Sequence, residues 1–172
     1  MNNLVWRNIW RFLLLVLFQL LVLNNVYLGG YVMPMLYVLF ILMLPTGMKR
    51  IPLLLIAFGT GLIMDVTSNV VGFHALACTT VAMMRILFAD RILTRGEPIT
   101  ISTPGIRSVT PQYFVSYLML MLGVFYLLFY TTELFGSRGF GGVLLATLCS
   151  TLVTTVLAVL YQLVFMRKKE ES

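Results

Sequence analysis

Gly61-Leu62-Ile63-Met64-Asp65-Val66-Thr67-Ser68-Asn69-Val70-Val71-Gly72-Phe73-His74-Ala75-Leu76 places one carboxylate, two glycines and the only histidine of the chain between two apolar runs. Asp65 is the only formally charged residue across 51–84. The flanking runs, 51–64 and 70–84, are apolar enough to lie in lipid. A carboxylate at the centre of a bilayer costs roughly 2.5–3.5 kcal/mol. Asp65 therefore either sits near a water interface or has a task inside the membrane, so its depth has to be fixed first.

Composition sets the solvent. Sixty per cent of the residues are hydrophobic and ten per cent charged, too much apolar surface for a soluble domain of this length to hide. The reading is an all-α integral membrane protein forming a single polytopic domain, with no room for a separate soluble domain. Six spans are expected, at about 9–26, 31–45, 51–66, 70–88, 112–131 and 141–166, with a polar loop at 90–111. The second is the weakest, since Pro34 and Pro45 bracket it and it is short for a bilayer core of about 30 Å.

Charge placement argues that it spans. With six spans, eleven of the twelve basic residues, all but Arg138, fall on one side. This positive-inside bias places both termini in the cytoplasm. Without the second span, Lys49 and Arg50 would move outside. Trp6 and Trp10 then fit an inner interfacial belt, and Tyr27, Tyr31 and Tyr130 an outer one. The net charge of +6 follows from topology, and no soluble basic face is present for nucleic acid. The first run lacks a small-x-small cleavage site, so it reads as a retained span. Cys78 and Cys149 lie in apolar segments and read as buried thiols, not a disulfide.

The same topology fixes Asp65. Fifteen residues beyond Arg50, at 1.5 Å per residue, it lies about 22 Å along the third helix, near the outer interface. Ala57, Gly61, Asp65 and Asn69 form one i+4 row, whose two small residues allow close helix approach. Asp65 is expected to cap the turn into the fourth helix, through backbone N–H groups or Ser68 and Asn69, or to shape a partner surface. A transport carboxylate is the remaining reading, although such a route normally has more ionisable groups. His74 reads as a hydrogen-bonded structural histidine. Asp65, His74 and Cys78 are too few and too loosely spaced for a zinc site.

Elsewhere, Gly142, Ala146, Ser150, Thr154 and Ala158 recur every four residues in the sixth helix. Such a ridge serves internal packing or an interface between chains, and because the row drifts about 40° per step one partner can use two or three members. The 90–111 loop, with Arg91, Arg95 and Arg107, reads as a solvated cytoplasmic connector on anionic lipid or a docking site for a cytoplasmic partner. The Gly-rich segment 136–142 lacks the Lys-Ser/Thr pair of a phosphate loop. No carboxylate pair or base-activated nucleophile stands out, so no enzyme and no cofactor is expected.

Gly61-Leu62-Ile63-Met64-Asp65 followed by Gly72, His74, Ala75 and Leu76, in a chain of this length and topology, resembles the MreD family. The resemblance implies a six-helix fold similar to the substrate-binding subunits of energy-coupling-factor transporters. It also implies a non-catalytic scaffold in the bacterial inner membrane that serves cell elongation, peptidoglycan synthesis and rod shape. The implied partners are the bitopic protein MreC, a second copy of the chain, RodA with its penicillin-binding transpeptidase, and MreB filaments, directly or indirectly. Gly61, Asp65, Gly72, His74, Gly142, Ala146 and Ser150 are the residues expected to serve packing or partner binding, with His74 as a possible hydrogen-bond partner of Asp65. Two competing readings stay open: a small-molecule uptake subunit with an outward polar pocket, and an ion or proton pathway through Asp65.

Overall fold

A computed structural model describes residues 2–23, 32–45, 48–94, 104, 110–134 and 139–165. Six helices follow in chain order: α1 (Asn2–Leu21), α2 (Val38–Leu42), α3 (Arg50–Ser68), α4 (Phe73–Thr94), α5 (Pro111–Leu134) and α6 (Phe140–Phe165), with no strand among the described residues. By length and composition α3, α5 and α6 can each cross a membrane, and shorter apolar helical stretches run over Asn8–Leu21 and Phe73–Phe88. The chain is a membrane protein. Its outer surface agrees: Leu145, Leu148, Leu152, Val156 and Leu160 on α6, and Trp6, Trp10, Leu13 and Leu17 on α1, all stand exposed. In water such a surface would aggregate, whereas in lipid it costs nothing.

The helices pack pairwise in chain order, α3 on α4, α4 on α5 and α5 on α6, while α2 touches α1, α3, α4 and α5 from the middle. The core is aromatic and built largely on α5. Phe125 stacks on Phe129 and Tyr126 on Tyr130, with centroids 6.2 and 5.8 Å apart. One helical turn separates the members of each pair, which puts their rings on one face.

Three boundaries differ from expectation. The 31–45 segment is not one helix: only Val38–Leu42 is helical, preceded by non-helical residues 32–37. An apolar run flanked by Lys49 and Arg50 reads as a spanning helix from charge placement, but Pro34 lacks the N–H and restricts its neighbour. The backbone here finds its partners elsewhere, as described below. α4 continues to Thr94, so 90–94 belong to the helix and not to the loop, because nothing breaks it before Gly96 and Pro98. α1 starts at Asn2 and ends at Leu21, so Trp6 and Arg7 lie within it. Of the loop residues, Arg91 falls in α4 with its side chain outside the described residues, as are Arg95 and Arg107 altogether.

Two further expectations are corrected by burial. Tyr130 is 3% exposed and its hydroxyl meets Ser150, so it is a core residue and not part of an interfacial belt; Tyr27 and Tyr31 lie outside the described residues. Arg85, one of the eleven basic residues assigned to the cytoplasmic side, is buried inside α4. Cys78 is buried, Cys149 half-buried, and both are free thiols.

Candidate functional site

The α3–α4 hairpin is organised by one residue. Asn69, in the left-handed region at φ 53°, donates its N–H to the Asp65 carbonyl and ends α3. Val70 N–H reaches the same carbonyl at 3.0 Å. The chain then turns at Gly72, whose φ of +77° suits a residue without Cβ. Gly72 occupies the N-cap position of α4, since its carbonyl accepts the first intrahelical bond from Leu76 at 2.9 Å. It has no side chain to cap the exposed N–H groups that follow.

Asp65 fills that role from the preceding helix. Oδ1 accepts the His74 N–H at 2.9 Å and Oδ2 the Ala75 N–H at 3.0 Å. These are the donors that a good N-cap side chain would satisfy, and the carboxylate also complements the positive end of α4. Asp65 itself is 3% exposed. Its main chain therefore closes one helix while its side chain opens the next.

Such reach requires the helices to be close, and Gly61 permits it. A Cβ at Gly61 would lie 2.4 Å from Ala75 Cα, 2.6 Å from Ala75 N and 2.7 Å from His74 O. All three are backbone atoms, which no rotamer change can move. Of the i+4 row on α3, Ala57, Gly61 and Asp65 are buried and Asn69 is exposed at the turn. Gly61, Asp65, His74 and Ala75 thus meet at a single contact, and Gly72 turns the chain just before it.

The imidazole of His74 does not bond Asp65, as the sequence had suggested; only its backbone does. The ring is 4.7 Å from Phe129, centroid to centroid, and Nδ1 lies 2.7 Å from the Tyr37 hydroxyl. Tyr37 is fully buried, just before α2. The hairpin is thereby fastened to the irregular segment in the middle of the bundle.

That segment is held by side chains from four helices. Gln19 of α1 is bidentate, its Nε2 donating to Pro34 O at 3.0 Å and its Oε1 accepting from Leu36 N at 2.8 Å. The Tyr126 hydroxyl of α5 donates to Met33 O at 2.9 Å, accepts from Met35 N at 2.8 Å and meets Thr154 Oγ1 at 2.5 Å. Ser150 Oγ accepts from Met33 N at 3.3 Å and pairs with the Tyr130 hydroxyl at 2.8 Å. At the far end Tyr117 donates to Leu42 O at 3.4 Å, Arg85 Nη2 to Leu44 O, and Gln162 Nε2 to Met43 Sδ at 3.3 Å. Non-helical backbone at membrane depth is tolerated only where protein supplies its partners, and here each supporting helix supplies some.

This network also decides how the α6 ridge is used. Ala146, Ser150, Thr154 and Ala158 are buried and Gly142 half-buried, with Ser150 and Thr154 facing the α5 tyrosines. The ridge is internal packing. Sequence reading missed Gln19, Tyr37, Arg85, Tyr126 and Gln162. For Gln19, Arg85 and Gln162 the available signal was a polar residue within an apolar helix, which marks an inward position with a partner; the two tyrosines carried no such signal.

Beside the hairpin, a cavity of about 320 Å³ is lined by Gln19, Tyr37, Ser68, His74, Phe129 and Glu133, together with three methionines, Met33, Met35 and Met64. It mixes polar and apolar walls, as small-molecule sites do. Among the described residues no group of three His, Cys, Asp or Glu side chains gathers in a metal-holding cluster. Compared with family models, curated proteins and solved structures, the chain matches none.

Proposed function

We propose that the chain is a non-catalytic scaffold of the bacterial inner membrane, binding MreC and coupling MreB filaments to RodA and its transpeptidase during cell-wall elongation. One observation carries this reading. Of the residues that gave the resemblance, Gly61, Asp65, His74 and Ala75 meet at one helix–helix contact and Gly72 turns the chain just before it, while Leu62 and Leu76 face outward. Both Asp65 oxygens are taken by backbone donors, which supports a fixed surface better than a moving proton. The rigid hairpin displays Leu62, Val66, Val71 and Leu76 outward, an apolar face suited to the single helix of a bitopic partner or to a second copy of this chain.

The test is co-purification with MreC from membranes. Gly61→Leu and Asp65→Ala should lower the yield of complex while the chain itself still inserts. A normal yield from both variants removes the hairpin from the argument.

A second reading, a small-molecule uptake subunit similar to those of energy-coupling-factor transporters, is favoured by the cavity beside His74. Native mass spectrometry that finds a vitamin-sized molecule on the purified chain, lost on His74→Leu, would promote it over the scaffold.

A further inference from the structure

We propose that the groove between α1 and α3 is a specific seat for one acyl chain of an anionic phospholipid, with the lipid phosphate held at Lys49 and Arg50. α1 and α3 scarcely touch, and the gap between them is a groove of about 370 Å³ floored by Phe40 and Leu44 and walled by Phe12, Ile56, Gly59 and Ile63. Its surface is almost wholly apolar. Thr60, also on the wall, turns its hydroxyl to the Ile56 carbonyl at 2.7 Å, and Gly59 leaves open space where a Cβ would stand.

Shape suits a flexible apolar chain. The lining residues run from Met48 to Ile63 and are nearly all apolar, so an extended hydrocarbon chain can lie along them.

Charge favours an anionic headgroup. The groove ends at Met48, and the next two residues, Lys49 and Arg50, are exposed. Neither side chain has a hydrogen bond or ion pair among the described residues. The described acidic side chains, Asp65 and Glu133, lie at the hairpin end, beside Ser68 and Val70. Trp6 and Trp10, exposed on α1 on either side of groove residues Asn8 and Ile9, fit headgroup depth. Basic residues at the mouth of an interhelical gap are the usual recognition chemistry for lipid phosphates.

The test uses the full chain in detergent, mixed with phosphatidylglycerol or phosphatidylcholine of identical acyl chains, and read by native mass spectrometry. With two basic residues at the headgroup, the preference for phosphatidylglycerol should be on the order of thirtyfold. Lys49→Gln with Arg50→Gln should abolish the preference while leaving weak retention of either lipid. Gly59→Leu, which fills empty space, should lower retention of both lipids with the unfolding temperature unchanged. Equal retention of the two lipids by the unmodified chain, or a full preference in the doubly neutralised variant, overturns the proposal. So does a Gly59→Leu variant that keeps its phosphatidylglycerol but loses MreC, because the groove would then belong to a partner helix.

Discussion

Replacing Gly61 by alanine adds one methyl group, yet it should be among the most damaging changes in this protein. The new Cβ would sit 2.4 Å from Ala75 Cα, and relief to an ordinary 3.4 Å contact needs about 1 Å of separation between α3 and α4. That movement would carry the Asp65 carboxylate away from His74 N–H and Ala75 N–H, now at 2.9 and 3.0 Å, beyond useful hydrogen-bond distance. The helices can keep the bonds and take the overlap, or part and lose the bonds. An approach of 2.4 Å to backbone atoms cannot be absorbed in place, so the helices part, and the two bonds to the charged group contribute about 1.5–3 kcal/mol each. Alanine returns about 1 kcal/mol of helix propensity. The net loss is then about 2–5 kcal/mol, a fall in unfolding temperature of roughly 5–20 °C for a chain of this size.

The assay is thermal unfolding in detergent, followed by the fluorescence of Trp6 and Trp10. Gly59→Ala is the internal control, on the same helix but with nothing within 4 Å of the added Cβ. It should be neutral or up to about 1 kcal/mol stabilising. The geometry also predicts coupling: Asp65→Ala should cost at least about 1 kcal/mol less in the Gly61→Ala background than alone, since the bonds it removes are already stretched. A Gly61→Ala protein melting within a degree or two of the parent, or strict additivity of the two substitutions, would refute the account of the hairpin.

Other expectations concern the turn and the central segment. Gly72→Ala should destabilise by about 1 kcal/mol because φ is +77°, whereas Asn69→Gly, at φ 53°, should be nearly silent in the same melt. Gln19→Leu removes two buried bonds at once and leaves Pro34 O and Leu36 N without them, for a loss of about 2–4 kcal/mol. Hydrogen exchange should then rise at Leu36 before it rises in α5 or α6. Tyr126→Phe deletes a hydroxyl with three partners, and Tyr117→Phe one with a long 3.4 Å bond to Leu42 O. The first should cost clearly more in an unfolding series, on the order of 2 kcal/mol or above, and a reversed order would mean that the central segment is held by packing alone.

Much of the hairpin could be read directly. Asp65 is the only charge across 51–84, and charge placement moved it to the end of a helix, beside Ser68 and Asn69 at the turn. Gly72, placed by the sequence inside the fourth span, instead turns the chain before α4 at φ +77°. The expectation that Asp65 bonds backbone N–H groups describes what the carboxylate does. The role of His74 was half legible. That a lone histidine in an apolar run needs a partner follows from its chemistry, but that the partner is Tyr37, 37 residues away, does not follow from spacing. The 31–45 segment misled for a related reason. An unbroken apolar run has no periodicity to distinguish a helix from a buried irregular strand, and the deciding groups, Gln19, Tyr126 and Ser150, lie on three other helices.

The sequence by itself determined that this is a helical membrane protein and that Asp65 stands at the turn between two of its helices, because solvent preference and backbone conformation are local properties of residue type. Only the tertiary structure decided how Asp65 caps a helix to which it does not belong, why Gly61 tolerates no methyl, and which polar residues hold the central segment. Those are contacts between elements far apart in the chain. In lipid every buried donor must find an acceptor within the protein, and the fold alone determines which one is within reach.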